Sequence, residues 1–119
     1  MKLFILISLT MTMTSAFANE LFCNRGNGGY FVEYSLNAPL KSVRLTIIDA
    51  SGVEDASGDI PCDGPQEAAY ICKGEIPSAT DEGFKGPKIA VNATLGENQL
   101  GAGGGLVQID GNVVSCSAK

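Results

Sequence analysis

Between Arg44 and Lys73 the chain carries six carboxylates and no basic residue: Asp49, Glu54, Asp55, Asp59, Asp63 and Glu67. Hard oxygen donors of this kind suit Ca²⁺, and on donor type alone Asp49, Asp55, Asp59 and Asp63 are the candidate ligands. Their spacing is not that of an EF-hand, because Asp49-Ala50-Ser51-Gly52 brings its glycine too early. The competing reading is a solvated surface that keeps an acidic protein soluble.

Other chemistry is narrowed by residue type. The chain has no histidine, which removes Ser-His-Asp and Cys-His nucleophile systems. A glycosidase-like pair of carboxylates, Glu33 with Glu75 or Glu97, stays open on sequence. Gly101-Ala102-Gly103-Gly104-Gly105 is dense in glycine, but it lacks the Lys-Ser or Lys-Thr pair and the following helix that a phosphate loop needs. It reads better as a bulged strand, or as a place where another backbone approaches closely. Asn92-Ala93-Thr94 is a glycosylation sequon, used only if the source glycosylates exported proteins.

The cysteines give the covalent framework. Cys23, Cys62, Cys72 and Cys116 are an even set at wide spacings, which fits two disulfides in an oxidising compartment and not a metal site built on close Cys pairs. Four cysteines allow three pairings. The one favoured here is Cys62 with Cys72, closing a short loop, and Cys23 with Cys116, joining the first strand to the last. By loop-closure entropy these contribute roughly 3 and roughly 4.7 kcal/mol, a sum comparable with the whole stability of a small domain.

The elements that must position these residues begin after a leader. Met1-Lys2, the apolar run from Leu3 to Leu9 and the small-x-small ending Ala16-Phe17-Ala18 are the parts of a secretory signal peptide, with cleavage expected after Ala18. The run is well short of the roughly 20 residues needed to span a bilayer, and nothing later is apolar for longer, so no membrane span is expected. Residues 19–119 are then expected to form a single domain. Lys2 leaves with the leader, so seven of the eight basic residues remain against thirteen acids, giving 7 − 13 = −6 in place of the −5 of the whole chain. Such a charge repels phosphate backbones and anionic lipid, so nucleic acid is not an expected partner.

Alternating patterns predict strands at Leu21–Asn24, Tyr30–Leu36, Lys41–Asp49, Ala68–Lys73, Lys88–Leu95, Leu106–Ile109 and Val113–Ser117. Tyr30, Val32, Tyr34 and Leu36 share one face, as do Val43, Leu45 and Ile47. Phe31 and Ile48 fall on the opposite, otherwise polar faces. Asp110-Gly111-Asn112 between two apolar runs is a hairpin signal. Asp49 to Cys72 reads as a long acidic loop ending in a strand, with the repeat Asp49-Ala50-Ser51-Gly52 and Asp55-Ala56-Ser57-Gly58 marking two similar turns. The fold class predicted is all-β: a small antiparallel β-sandwich or barrel of six to seven short strands with two disulfides.

An exported β domain opening on Phe22-Cys23-Asn24 and closing on Val114-Ser115-Cys116 is similar in outline to bacterial periplasmic inhibitors of c-type lysozyme. Those inhibitors carry a Ser-Gly-x-x-Tyr motif, whereas here the Ser-Gly pairs lead to Asp55 and Pro61. The likeness covers only the termini and names no family. The function expected is that of a periplasmic or secreted, monomeric, non-enzymatic domain that binds a protein or glycan through surface loops. Inhibition of a hydrolase is one form of it, with Asp49–Cys72 as the presented loop. The alternatives are a structural envelope protein that associates through residues 100–105, and a carboxylate-based hydrolase.

Overall fold

The computed structural model describes residues 19–35 and 39–118. The expected leader, with Ala18, and the expected strand residue Leu36 lie outside the described residues. The elements are β1 (Asn19–Asn24), β2 (Gly29–Tyr34), β3 (Ser42–Ile48), β4 (Glu54–Gln66), β5 (Ala69–Pro77), β6 (Lys88–Gly96), a short helix α1 (Glu97–Ala102), β7 (Gly104–Ile109) and β8 (Asn112–Ala118). Each strand pairs antiparallel with the next and β8 returns to β1, closing an eight-stranded barrel. The choice between sandwich and barrel therefore resolves to a barrel, with eight strands in place of six to seven.

The added strand is β4, which occupies most of the segment expected to be a loop. Its inward positions, Ala56, Gly58, Ile60 and Cys62, do alternate with outward Asp55, Ser57, Asp59, Pro61 and Asp63. Asp, Gly and Pro are poor strand formers, so the pattern is masked in the sequence. The strand forms because its neighbours demand it: β3 pairs with it from Ser42–Pro61 to Ile48–Glu54, with a bulge at Ile47/Ile48. On the other side Cys62 faces Cys72 of β5.

The inward side chains make one buried cluster drawn from all eight strands and α1, including Leu21, Val32, Leu45, Ile60, Ile76, Leu95 and Ile109. An eight-stranded barrel is just wide enough for side chains to fill, and β4 and β5 fit together by trading bulk for glycine. A Cβ on Gly58 would lie 3.0 Å from Ile76 Cγ2, and one on Gly74 would lie 2.9 Å from Ile60 Cγ2. Both disulfides, Cys23–Cys116 and Cys62–Cys72, join directly opposed residues of neighbouring strands. Cys23 and Cys72 are wholly buried.

The two ends are covered differently. At one, α1 lays Leu100 into the core, and the buried Tyr34 hydroxyl donates to the Leu100 carbonyl at 2.8 Å. Burial also raises the Tyr34 pKa, which keeps the hydroxyl a donor into alkaline solution. At the other end the Arg25 guanidinium lies 5.3 Å from the centre of the Tyr30 ring and donates to its hydroxyl at 3.3 Å. Six residues of helix are too few to display a period, so α1 left no signal in the sequence. Gly103 closes it with a left-handed φ of 79° and an N–H donated to the Gln99 carbonyl.

The hairpins divide into one expected and one not. Asp110 and Gly111 have φ of 51° and 82°, the type I′ geometry that an Asp-Gly pair predicts. The β4–β5 turn uses the same geometry with Glu67 at 53° and Ala68 at 65°, where a Cβ is disfavoured. β7 pairs with β6 only at Ala93–Ile109 and Thr94–Gln108. Beyond them Asp110 donates its N–H to the Asn92 carbonyl and accepts the Asn92 N–H on Oδ1. Ile89, on the same side of β6 as the buried Val91 and Ala93, lies past that hairpin tip and is 40% exposed.

Two stability predictions arise from this geometry. The Cys23 and Cys116 staple spans 93 residues and the Cys62–Cys72 staple spans 10. Replacing the first pair by alanine should lower the unfolding free energy by about 4–5 kcal/mol, and replacing the second by about 3 kcal/mol. Urea midpoints of the two double variants measure this, and equal losses would contradict it. Ala68→Gly should relieve the left-handed turn and stabilise by roughly 1 kcal/mol, a rise in Tm of about 4–8 °C. An unchanged or lower Tm would show that the turn carries no such strain.

Candidate functional site

The acids singled out from the sequence do not converge. Asp49 serves its own turn: its Oδ1 accepts the N–H of Ser51 at 2.8 Å and of Val53 at 3.0 Å. Asp55, Asp59 and Asp63 all face outward along β4. At about 3.3 Å per residue, their four-residue steps place neighbours roughly 13 Å apart, too far to share an ion. Among the described residues no group of three or more His, Cys, Asp or Glu is placed to hold a metal. Asp59 instead lies 3.4 Å from Arg44 Nε, which also reaches Glu33 at 4.0 Å.

The glycosidase pairing meets a similar obstacle. Glu33 on β2 and Glu75 on β5 are separated by β3 and β4. Three strand spacings amount to roughly 14 Å, beyond the roughly 5–9.5 Å over which two carboxyls flank a glycosidic bond. Glu97 opens α1 at the barrel end. The presented loop from Asp49 to Cys72 is also corrected. It is a turn, the 13-residue strand β4, a two-residue turn and the start of β5, so its two turns lie at opposite ends of the barrel. Residues 100–105 are the end of α1 and the start of β7, already paired with β8. The close backbone approach expected there is present, since a Cβ on Gly104 would lie 2.7 Å from the Cys116 carbonyl oxygen.

The structure does gather a set that the sequence left scattered. Phe22, Phe31 and Ile48 are the apolar residues that break the polar outer faces of β1, β2 and β3, and the register sets Phe22 opposite Phe31 and Ile48 beside Gly29. The two phenyl rings lie 5.2 Å apart at 55°, within the range of a favourable tilted pair. Gly29 makes room for them: a Cβ there would sit 3.0 Å from the Phe22 ring. Together with Asn24 and the turns at 25–28 and 49–53 they line an open groove of about 380 Å³.

The groove walls are held by short polar contacts. Asn24 Oδ1 accepts the Gly26 N–H at 2.6 Å, which leaves the amide nitrogen of Asn24 as a donor. Asp49 binds its own turn through Oδ1, which leaves Oδ2 as an acceptor. A Cβ on Gly28, whose φ is 97°, would collide with the Ile48 carbonyl. The two turns therefore pack backbone against backbone and fix the width of the opening. The clue available in the sequence was the phase of Phe22, Phe31 and Ile48, each an apolar residue in step with its strand's polar face.

Beyond the groove the outward face of β1 to β4 is charged. Glu20, Glu33, Arg44 and Asp59 stand in one register row across β1 to β4. The outward face of β5 to β8 is mixed, with Ile71, Leu106 and Val113 exposed. No helix among the described residues is long and apolar enough to cross a membrane.

From the separation of the β4 carboxylates, titration with millimolar calcium chloride is expected to give no saturable heat and no rise in Tm. A stoichiometric heat would overturn the geometric argument. Comparison of the chain with family models, with characterised proteins and with solved structures finds no match.

Proposed function

We propose that the mature chain is an exported, non-enzymatic, monomeric binding domain that engages a protein or glycan in the periplasm or outside the cell. The observation that carries this reading is the allocation of side chains. The inward positions of all eight strands are committed to one buried cluster and both ends are covered, so contact with a ligand falls to the outside. There the Phe22–Phe31 groove offers half-buried aromatic surface between two fixed turns. Two disulfides suit an oxidising compartment. Inhibition of a secreted hydrolase is one form of this function, exerted by the turns at 25–28 and 49–53.

The test is capture from envelope and culture fractions with the oxidised mature protein, beside a Phe22→Ser/Phe31→Ser variant of matching fold by circular dichroism. The expected result is a ligand retained by the wild type and lost from the variant, with a single monomeric species in sedimentation. Equal capture by both, or self-association of the purified domain, would count against it.

A further inference from the structure

We infer that the groove between the β1–β2 and β3–β4 turns is a saccharide site for a neutral glycan. The inference rests on the binding-domain reading above and names its ligand class. A pyranose ring has an apolar face of C–H groups and a polar rim of hydroxyls, and the groove has the same two-part make-up. Its floor is Phe22, Phe31 and Ile48, with Ile48 buried and the two rings half-buried. Its rim supplies Asn24 Nδ2 as a donor and Asp49 Oδ2 as an acceptor, both on side chains already anchored through Oδ1. The volume, about 380 Å³, lies at the small end of the range of small-molecule sites, roughly 300–1,000 Å³.

Anchoring matters because a rim that is already ordered loses little freedom when a ligand arrives. Charge selects within the sugars. Asp49 stands on the rim and Glu33 and Asp59 lie on the same outer surface with Arg44 between them, while the guanidinium of Arg25 in the neighbouring turn is directed to the Tyr30 ring and hydroxyl. Uronic, sialylated and sulfated sugars meet repulsion there, while neutral sugars do not.

The experiment is a titration of the ¹⁵N-labelled mature protein with chitotriose and cellotriose, with trigalacturonate as the anionic comparison. At least one neutral trisaccharide is expected to give saturable shifts centred on residues 22–31 and 48–52, and trigalacturonate to bind at least tenfold more weakly. Phe31→Leu keeps the apolar packing and removes the ring face. Its affinity should fall at least tenfold with a Tm near that of the wild type, whereas Leu106→Ala, at an exposed apolar position on β7, should change nothing. Shifts that never saturate, equal affinity in Phe31→Leu, or preference for trigalacturonate would overturn the inference. If the capture experiment still retains a protein through this face, the binding-domain reading stands and the glycan assignment alone falls.

Discussion

Ring closure is the constraint on which this fold depends. An open eight-stranded sheet would leave β1 and β8 as unpaired edges and its inward face facing water. The seam between them is short, four ladder pairs from Leu21–Ala118 to Asn24–Ser115, and it joins the two most distant parts of the described chain. Cys23 and Cys116 sit at one of those pairs. A covalent bond there removes from the unfolded chain the entropy that closing so long a loop would otherwise cost.

Closure fixes a radius, and the radius fixes which residues can point inward. A ring of eight strands has room for a layer of large side chains only if some inward positions are empty. The Gly58–Ile76 and Gly74–Ile60 oppositions meet that requirement between β4 and β5, with Ala56 and Ala93 as further small inward residues. Once the inside is settled in this way, the outer positions are released from packing duty. Phe22 and Phe31 are therefore informative: buried apolar area stabilises a side chain by about 25 cal/mol per Å², and these rings leave part of that unused.

Much of this was legible in the sequence. The disulfide pairing, the faces of β2 and most of β3, and the Asp110-Gly111 hairpin followed from spacing, alternation and turn chemistry. What could not be read locally is shown by the repeated tetrapeptide. Asp49-Ala50-Ser51-Gly52 is a turn because Asp49 caps the following N–H groups and Gly52 takes φ 86°. Asp55-Ala56-Ser57-Gly58 is extended strand, with Ala56 wholly buried, the Ser57 hydroxyl 2.8 Å from that of Thr46, and Gly58 under Ile76. The same four residues obey different neighbours, so local propensity cannot choose between them. The groove was hidden for a related reason, since its three floor residues come from three strands and meet only through register.

The exchange between Asp110 and Asn92 has a consequence for how the molecule behaves in company. In an antiparallel strand the N–H and C=O of one residue point the same way and alternate along the chain. If those of Asn92 turn toward β7, so do those of Ala90 and Lys88, which lie beyond the hairpin tip and have no strand beside them among the described elements. This is a short stretch of template onto which a neighbouring polypeptide could zip. Pro87 precedes it without an N–H to offer, Lys88 charges it, and Asp110 blocks its inner end. A proline, a charge and a blocking side chain are the devices that guard an exposed sheet edge against edge-to-edge pairing, and all three stand at this one lip of the barrel.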